Sequence, residues 1–197
     1  MKMNWPNRLT MLRIFMIPIF VTLMFLTPAY TWCRYVAAGV FIAACLTDLL
    51  DGKIARKYNM ITDFGKFMDP LADKLLVVSA LIVMVFLNIF TEEQHLFNAG
   101  AENIIFTVAV LLIVAREFII SGFRLVAAGQ GLVLAASRTA KVKTTFQMIM
   151  IVALILHFNY LPFLILEWVL ILASLVLTVW SLIEYLVKNA SVLKDVR

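Results

Sequence analysis

The sequence is short of charged residues and of cysteines, and each shortage excludes a class of protein. Only 15% of its 197 residues are charged and 63% are hydrophobic, which excludes an ordinary soluble domain. The two cysteines, Cys33 and Cys45, lie in or beside apolar sequence without the spacing of metal ligands, so we interpret them as small buried residues. Because no Lys/Arg-rich run is interleaved with aromatic residues, we expect no nucleic-acid partner.

Long apolar stretches are what the sequence does contain, and they predict an all-α integral membrane protein. The chain has room for one domain over residues 1–197, which begins with a short interfacial segment over residues 1–8. We predict six transmembrane helices, at residues 9–26, 35–56, 66–90, 104–126, 139–156 and 161–187.

The basic residues predict how these helices are oriented in a cell membrane. Every Lys and Arg except Arg34 falls near the ends of the helices on one side, which places both termini in the cytoplasm. The first five helices are polar in their cytoplasmic halves. Because lipid-facing polar groups are costly, we expect these halves to surround a water-filled, cytoplasm-facing cavity, with helix six as lipid-facing scaffold.

Four aspartates within the predicted second and third helices are the strongest functional signal. Asp48 and Asp51 are three residues apart, and Asp69 and Asp73 are four apart, so each pair shares one helix face. Carboxylates in apolar sequence are functional candidates, and their oxygens suit Mg²⁺ or Mn²⁺. Four convergent carboxylates invite two such cations, which could clamp the attacked phosphate and the leaving oxygen of a phosphoryl-type displacement.

The residues around the aspartates suit a nucleotide diphosphate. Gly52, Ala55 and Gly65 lack bulk, so a nucleotide can approach the backbone closely. Arg56 offers a planar fork of donors to a pyrophosphate.

The run from Asp48 to Asp73 resembles the signature of the CDP-alcohol phosphotransferase family. The resemblance implies a six-helix membrane enzyme, usually a homodimer, that uses two divalent cations and an alcohol to displace CMP from a CDP-linked substrate. It further implies that the four aspartates are metal ligands and that Asp73 is also the general base. Gly52, Arg56 and Gly65 would contact the CDP group.

Further motifs resemble family members that use CDP-diacylglycerol as donor and sn-glycerol 3-phosphate as acceptor. These motifs are Pro6-Asn7-x-Leu9-Thr10-x-x-Arg13, Arg116-Glu117, Ser121, Arg124 and Lys141-x-Lys143-Thr144-x-x-Gln147. The chain departs from that pattern at Ala140, where glycine is common. The resemblance implies a phospholipid-synthesising transferase.

The basic residues of the fourth and fifth helices are consistent with a phosphorylated acceptor. Arg116 and Arg124 can share a helix face, and with Lys141 and Lys143 they would form a cationic pocket for a phosphate. A role in topology or in binding anionic lipid heads remains open for Arg138 and Lys143. Possible accessory residues are Thr10, Arg13, Glu117 and Ser137.

Two other functions remain to be compared with this one. A sister enzyme could use another acceptor, namely inositol phosphate, serine, or phosphatidylglycerol as in cardiolipin synthesis. A divalent-cation transporter would need polar residues through the full depth of the membrane, whereas the outer halves of these helices are almost purely apolar.

Overall fold

The computed structural model describes residues 5–57, 63–90, 95–129 and 138–189, and these ranges contain helices and no strand. The six helices are α1 (Trp5–Leu26), α2 (Trp32–Lys57), α3 (Asp63–Phe86), α4 (Ala99–Gly129), α5 (Arg138–Leu156) and α6 (Leu161–Lys188). The predicted all-α class and the number of helices are therefore confirmed.

Several predicted helix boundaries differ from the structure by three to five residues, and the largest difference is at the start of α4, which begins at Ala99 rather than at residue 104. α3 ends at Phe86 rather than at residue 90, because Asn88 adopts a left-handed conformation with φ 48°, which stops an α-helix. α1 begins at Trp5, so residues 5–8 of the predicted interfacial segment belong to the helix.

Four of the helices are long and apolar enough to cross a membrane. These candidate spans are Arg8–Leu26, Ala99–Ala127, Thr139–Leu156 and Leu161–Lys188, which lie in α1, α4, α5 and α6. The described parts of α2 and α3 are not among them, and both helices carry several charged residues in one half. The chain is thus a multi-pass membrane protein by composition, while six spans and a cytoplasm-facing cavity remain predictions.

The helices belong to two compact units. The first contains the chain up to Asn88 and Ile151–His157, and the second contains Ile89–Met150 and the chain from Phe158 onwards. The assignment of residues 1–197 to a single domain stays a prediction.

In the first unit, α1 packs against both α2 and α3. The apolar end of this packing joins Phe20 to Phe41, with ring centroids 5.7 Å apart, and Phe25 to Phe86, at 5.4 Å. Several buried alanines let the backbones approach closely, and they are Ala37, Ala38, Ala44, Ala72 and Ala80. The buried face of α1 changes from apolar at Phe20 to polar at Thr10 and Arg13, so these polar groups point into the helix interface.

Arg34, the basic residue that departs from the orientation rule, has a structural partner in the same unit. Its Nη1 donates to the carbonyl of His157, 3.1 Å away, directly after the end of α5. A cation at the carboxyl end of a helix interacts favourably with the helix dipole, which accounts for a lone arginine at this position.

In the second unit, α6 packs along α4. Buried residues of α6 recur every three or four positions, at Glu167, Ile171, Ser174, Thr178, Ser181 and Tyr185. Buried residues of α4 recur with the same spacing, at Glu102, Phe106, Ala109, Ile113, Arg116 and Ile120. This spacing produces one continuous buried stripe along each helix.

Candidate active site

Asp48 of α2 is held by an arginine of α1. Arg13 Nη1 lies 2.6 Å from Asp48 Oδ1. The Arg13 side chain is completely buried, whereas 32% of the Asp48 side chain remains exposed. The carboxylate therefore compensates the charge of the guanidinium and still keeps an accessible side.

Asp69 of α3 is held by a hydroxyl of the same helix. Thr10 Oγ1 donates to Asp69 Oδ1 at 2.5 Å, and Thr10 is only 1% exposed. Thr10 and Arg13 are three residues apart and share one face of α1. One polar turn of α1 thus contacts a predicted cation ligand on each of the two neighbouring helices.

Asp73 lies one turn after Asp69 on α3. Cys45 precedes Asp48 by one turn on α2. It lies close enough to Asp73, Asp48 and Arg13 for their charges to act on its thiol. Cys45 and Cys33 are both free thiols. Cys33 is buried as predicted, whereas Cys45 is only half-buried, so that prediction is wrong for Cys45.

Several predicted site residues fall outside what the structure describes. Ser137 lies outside the described ranges, and only the helical backbone is described at Asp51, Gly52, Ala55, Arg56 and Gly65. Among the described side chains, no group of three or more His, Cys, Asp or Glu residues is arranged to hold a metal ion. The donor chemistry of Asp48, Asp69 and Asp73 nevertheless fits a hard divalent cation, because all three supply carboxylate oxygens.

In the second unit, Glu117 forms ion pairs with two of the basic residues that were predicted to bind the acceptor phosphate. Arg116 Nη1 lies 3.0 Å from Glu117 Oε1, and Lys143 Nζ of α5 forms an ion pair with the same oxygen. Arg116 Nη2 also donates to Ser181 Oγ of α6 at 2.9 Å. Arg116 and Lys143 are both buried, so two positive charges withdrawn from water share this one carboxylate.

The other two basic residues predicted to bind the acceptor phosphate have different surroundings. The guanidinium carbon of Arg124 lies 5.8 Å from the centre of the Tyr185 ring, a distance typical of a cation–π contact. Lys141 is exposed. The structure therefore brings Arg116 and Lys143 together around Glu117, and it places Arg124 against α6.

Helix six was predicted to lack a polar cluster and to serve as lipid-facing scaffold, and the first part of this prediction is wrong. α6 buries Ser174, Thr178 and Ser181, and its Glu184 accepts a hydrogen bond from Thr139 of α5. The polar residues of α6 were visible in the sequence, but they are scattered among apolar residues. Their spacing of three and four residues is the signal that could have identified a buried polar face.

Comparisons with known proteins give the site a context. A family model described as CDP-alcohol phosphatidyltransferase matches residues 3–180. The chain is 40% identical over 207 residues to the CDP-diacylglycerol–glycerol-3-phosphate 3-phosphatidyltransferase of Bacillus subtilis, with 97% of each chain covered. It is 35% identical over 201 residues to the protein of the same name from Haemophilus influenzae, with 100% of each covered. It is 37% identical over 194 residues to that of Escherichia coli K12, with 94% of each covered.

Proposed function

The chain belongs to the CDP-alcohol phosphatidyltransferase family, and we propose that it transfers the phosphatidyl group of CDP-diacylglycerol to sn-glycerol 3-phosphate. A hydroxyl of glycerol 3-phosphate attacks the phosphorus of the phosphatidyl group, the bond to the CMP oxygen breaks, and the hydroxyl proton passes to a base. The products are phosphatidylglycerophosphate and CMP. The observation that carries this proposal is the 35–40% sequence identity, over nearly the whole chain, with relatives whose names specify both substrates.

We assign two roles to the aspartates, which are to bind divalent cations and to accept the proton of the acceptor hydroxyl. Members of this family generally use divalent metals, and we assign two Mg²⁺ or Mn²⁺ ions to Asp48, Asp51, Asp69 and Asp73. When bound, such ions supply positive charge that stabilises the attacked phosphate and the departing oxygen. Asp73 accepts the proton of the acceptor hydroxyl, which is a task suited to a carboxylate within hydrogen-bonding reach.

The two substrates are assigned to different residues. Gly52, Ala55, Arg56 and Gly65 contact the CDP group, where small residues admit the nucleotide and Arg56 binds the diphosphate. Arg116, Arg124, Lys141 and Lys143 bind the phosphate of the acceptor. Because Arg116 and Lys143 are buried and both pair with Glu117, we assign the main contacts with that phosphate to Arg124 and Lys141.

The setting of the reaction follows from the lipid donor. The protein acts within the cell membrane, with both termini and the aspartates on the cytoplasmic side, as the distribution of Lys and Arg favours. Its partners are CDP-diacylglycerol, glycerol 3-phosphate and the surrounding lipids, and a homodimer is the assembly that the family resemblance implies.

An acceptor panel tests the function. Purified protein in detergent receives labelled CDP-diacylglycerol, Mg²⁺ and one acceptor at a time: glycerol 3-phosphate, inositol phosphate, serine or phosphatidylglycerol. We expect labelled lipid product and equimolar CMP only with glycerol 3-phosphate, and no product when EDTA removes the cation. If product forms only with another acceptor, the assignment of glycerol 3-phosphate as acceptor is wrong. CMP release in EDTA would contradict the cation assignment.

A further inference from the structure

Thr10 reaches a predicted cation ligand on another helix, which sets it apart from most threonines of this fold. The Oγ1 hydroxyls of Thr22, Thr107 and Thr178 donate to backbone carbonyls four residues earlier in their own helices. Such bonds are local and add little to tertiary structure. The hydroxyl of Thr10 instead donates to Asp69, 59 residues away in the sequence.

We propose that Thr10 is a positioning residue for cation binding, which presets the carboxylate of Asp69 through this hydrogen bond. The inference rests on the proposed function, because it takes Asp69 to be a cation ligand. Thr10 touches neither substrate nor cation in this assignment, and it acts only through Asp69.

The chemistry of threonine suits this task. Its β-branched side chain has few allowed rotamers, so burial of Thr10 fixes the direction in which the hydroxyl points. The hydrogen bond engages Oδ1 of Asp69 and thereby restricts rotation of the whole carboxylate group. A bond from a buried hydroxyl to an ionised carboxylate is among the stronger hydrogen bonds of proteins, because little water competes for the donor.

The neighbouring contact on α1 supports the same conclusion. Arg13, one turn along the same face, holds Asp48 of α2. Both carboxylate helices therefore contact a single turn of α1, and each contact restricts the side chain of one predicted ligand. Ordering a ligand in advance lowers the entropic cost of binding.

The test measures cation binding directly, without substrate or turnover. Mn²⁺ is titrated into the full-length protein in detergent, and free Mn²⁺ is followed by electron paramagnetic resonance. The variant Thr10→Val keeps the shape of the side chain and removes the hydroxyl, Thr10→Ser retains the hydroxyl, and Asp69→Asn removes the ligand charge. Thr22→Val is the matched control on α1, because its hydroxyl bonds only to Pro18 O among the contacts described.

We expect Thr10→Val to weaken Mn²⁺ binding about 10-fold, which corresponds to about 1.4 kcal/mol. Thr10→Ser should restore most of the affinity, and Thr22→Val should match the wild type. Thermal unfolding without Mn²⁺ separates this effect from a general loss of stability. If Thr10→Val does not fold, Thr10→Ala carries the same expectation.

Equal Mn²⁺ affinities for Thr10→Val and Thr22→Val, with clear binding by the wild type, would overturn the positioning role and leave the proposed function intact. A loss of affinity in Thr10→Ser as large as in Thr10→Val would also overturn it, because the hydroxyl would then be irrelevant. If the wild type binds no Mn²⁺, the inference fails with the cation assignment, while the acceptor panel still decides whether phosphatidyl transfer occurs.

Discussion

Arg13 of α1 and Asp48 of α2 form an ion pair in which Nη1 lies 2.6 Å from Oδ1. A completely buried guanidinium is costly unless a carboxylate compensates its charge. Because Asp48 is also a predicted cation ligand, this ion pair couples the charge of the candidate active site to the packing of α1 against α2.

Replacing Arg13 by methionine should destabilise the protein, because it leaves Asp48 without its cationic partner. We expect a loss of about 3 kcal/mol, the low end for a buried ion pair, since the Asp48 side chain is 32% exposed. Chemical unfolding in detergent measures the change, and Mn²⁺ should recover part of it by supplying positive charge. Arg8→Met is the control, because Arg8 is exposed on the same helix. Equal stability of the two variants would show that the ion pair contributes nothing.

Replacing Asp73 by asparagine should abolish turnover while the protein stays folded. The change keeps the shape of the side chain but removes the charge needed to bind a cation and to accept a proton. We expect a loss of at least about a thousandfold in the rate of CMP release, with a helical circular dichroism spectrum like that of the wild type. Activity close to normal would remove Asp73 from the catalytic role.

The buried ion pair of Glu117 and Lys143 should be strongly coupled. A double-mutant cycle with Glu117→Gln and Lys143→Met isolates the coupling from the separate effects of each change, and we expect about 1 to 3 kcal/mol. The matched control is the pair Glu184 and Lys188, one turn apart at the exposed end of α6, with Nζ 2.5 Å from Oε1. Its coupling should be much smaller because the Lys188 side chain is 65% exposed and screened by water, whereas the Lys143 side chain is 2% exposed. Similar couplings in both cycles would mean that burial adds nothing to the Glu117 cluster.

Arg124→Ala and Arg56→Ala should affect different substrates. Arg124 is assigned to the acceptor phosphate, so its loss should raise KM for glycerol 3-phosphate about 10- to 100-fold, as expected for one charge-assisted contact. KM for CDP-diacylglycerol should change much less, and Arg56→Ala should show the reverse pattern. Steady-state kinetics with each substrate varied in turn gives both values. Parallel losses toward both substrates in both variants would show that the two sets of residues do not act separately.

Labelling of single cysteines should reveal the orientation. After Cys33 and Cys45 are replaced by alanine, Lys188→Cys and Tyr30→Cys provide exposed sites at the end of α6 and in the connection between α1 and α2. We expect an impermeant maleimide to reach position 188 only from the cytoplasm and position 30 only from outside, because basic residues favour the cytoplasmic side. Labelling of both from the same side would contradict the predicted topology.

Much of this protein could be predicted from its sequence because the relevant physics is local. A stretch of apolar residues predicts a helix without knowledge of its neighbours. Six helices were predicted and six lie in the described residues, although only four of them are long and apolar enough to cross a membrane. Asp48 and Asp69 were identifiable because a carboxylate in apolar sequence needs a functional or structural reason. The glycines and arginine around them pointed to a nucleotide diphosphate, and the family was recognisable from that motif.

The partners of these residues depended on the tertiary structure. Thr10 and Asp69 are 59 residues apart, and Arg116 and Ser181 are 65 apart, so no periodicity in the sequence relates them. Helical period determines which face a side chain occupies, but not which other helix covers that face. The apolar composition that identifies a membrane protein also dominates α6, so its few polar residues did not stand out as one face, and the buried polar face was missed. The sequence by itself determined the helices, the carboxylates and the family. Packing between distant helices decided that α1 binds Asp48 and Asp69, and that the buried Lys143 of α5 pairs with Glu117 of α4.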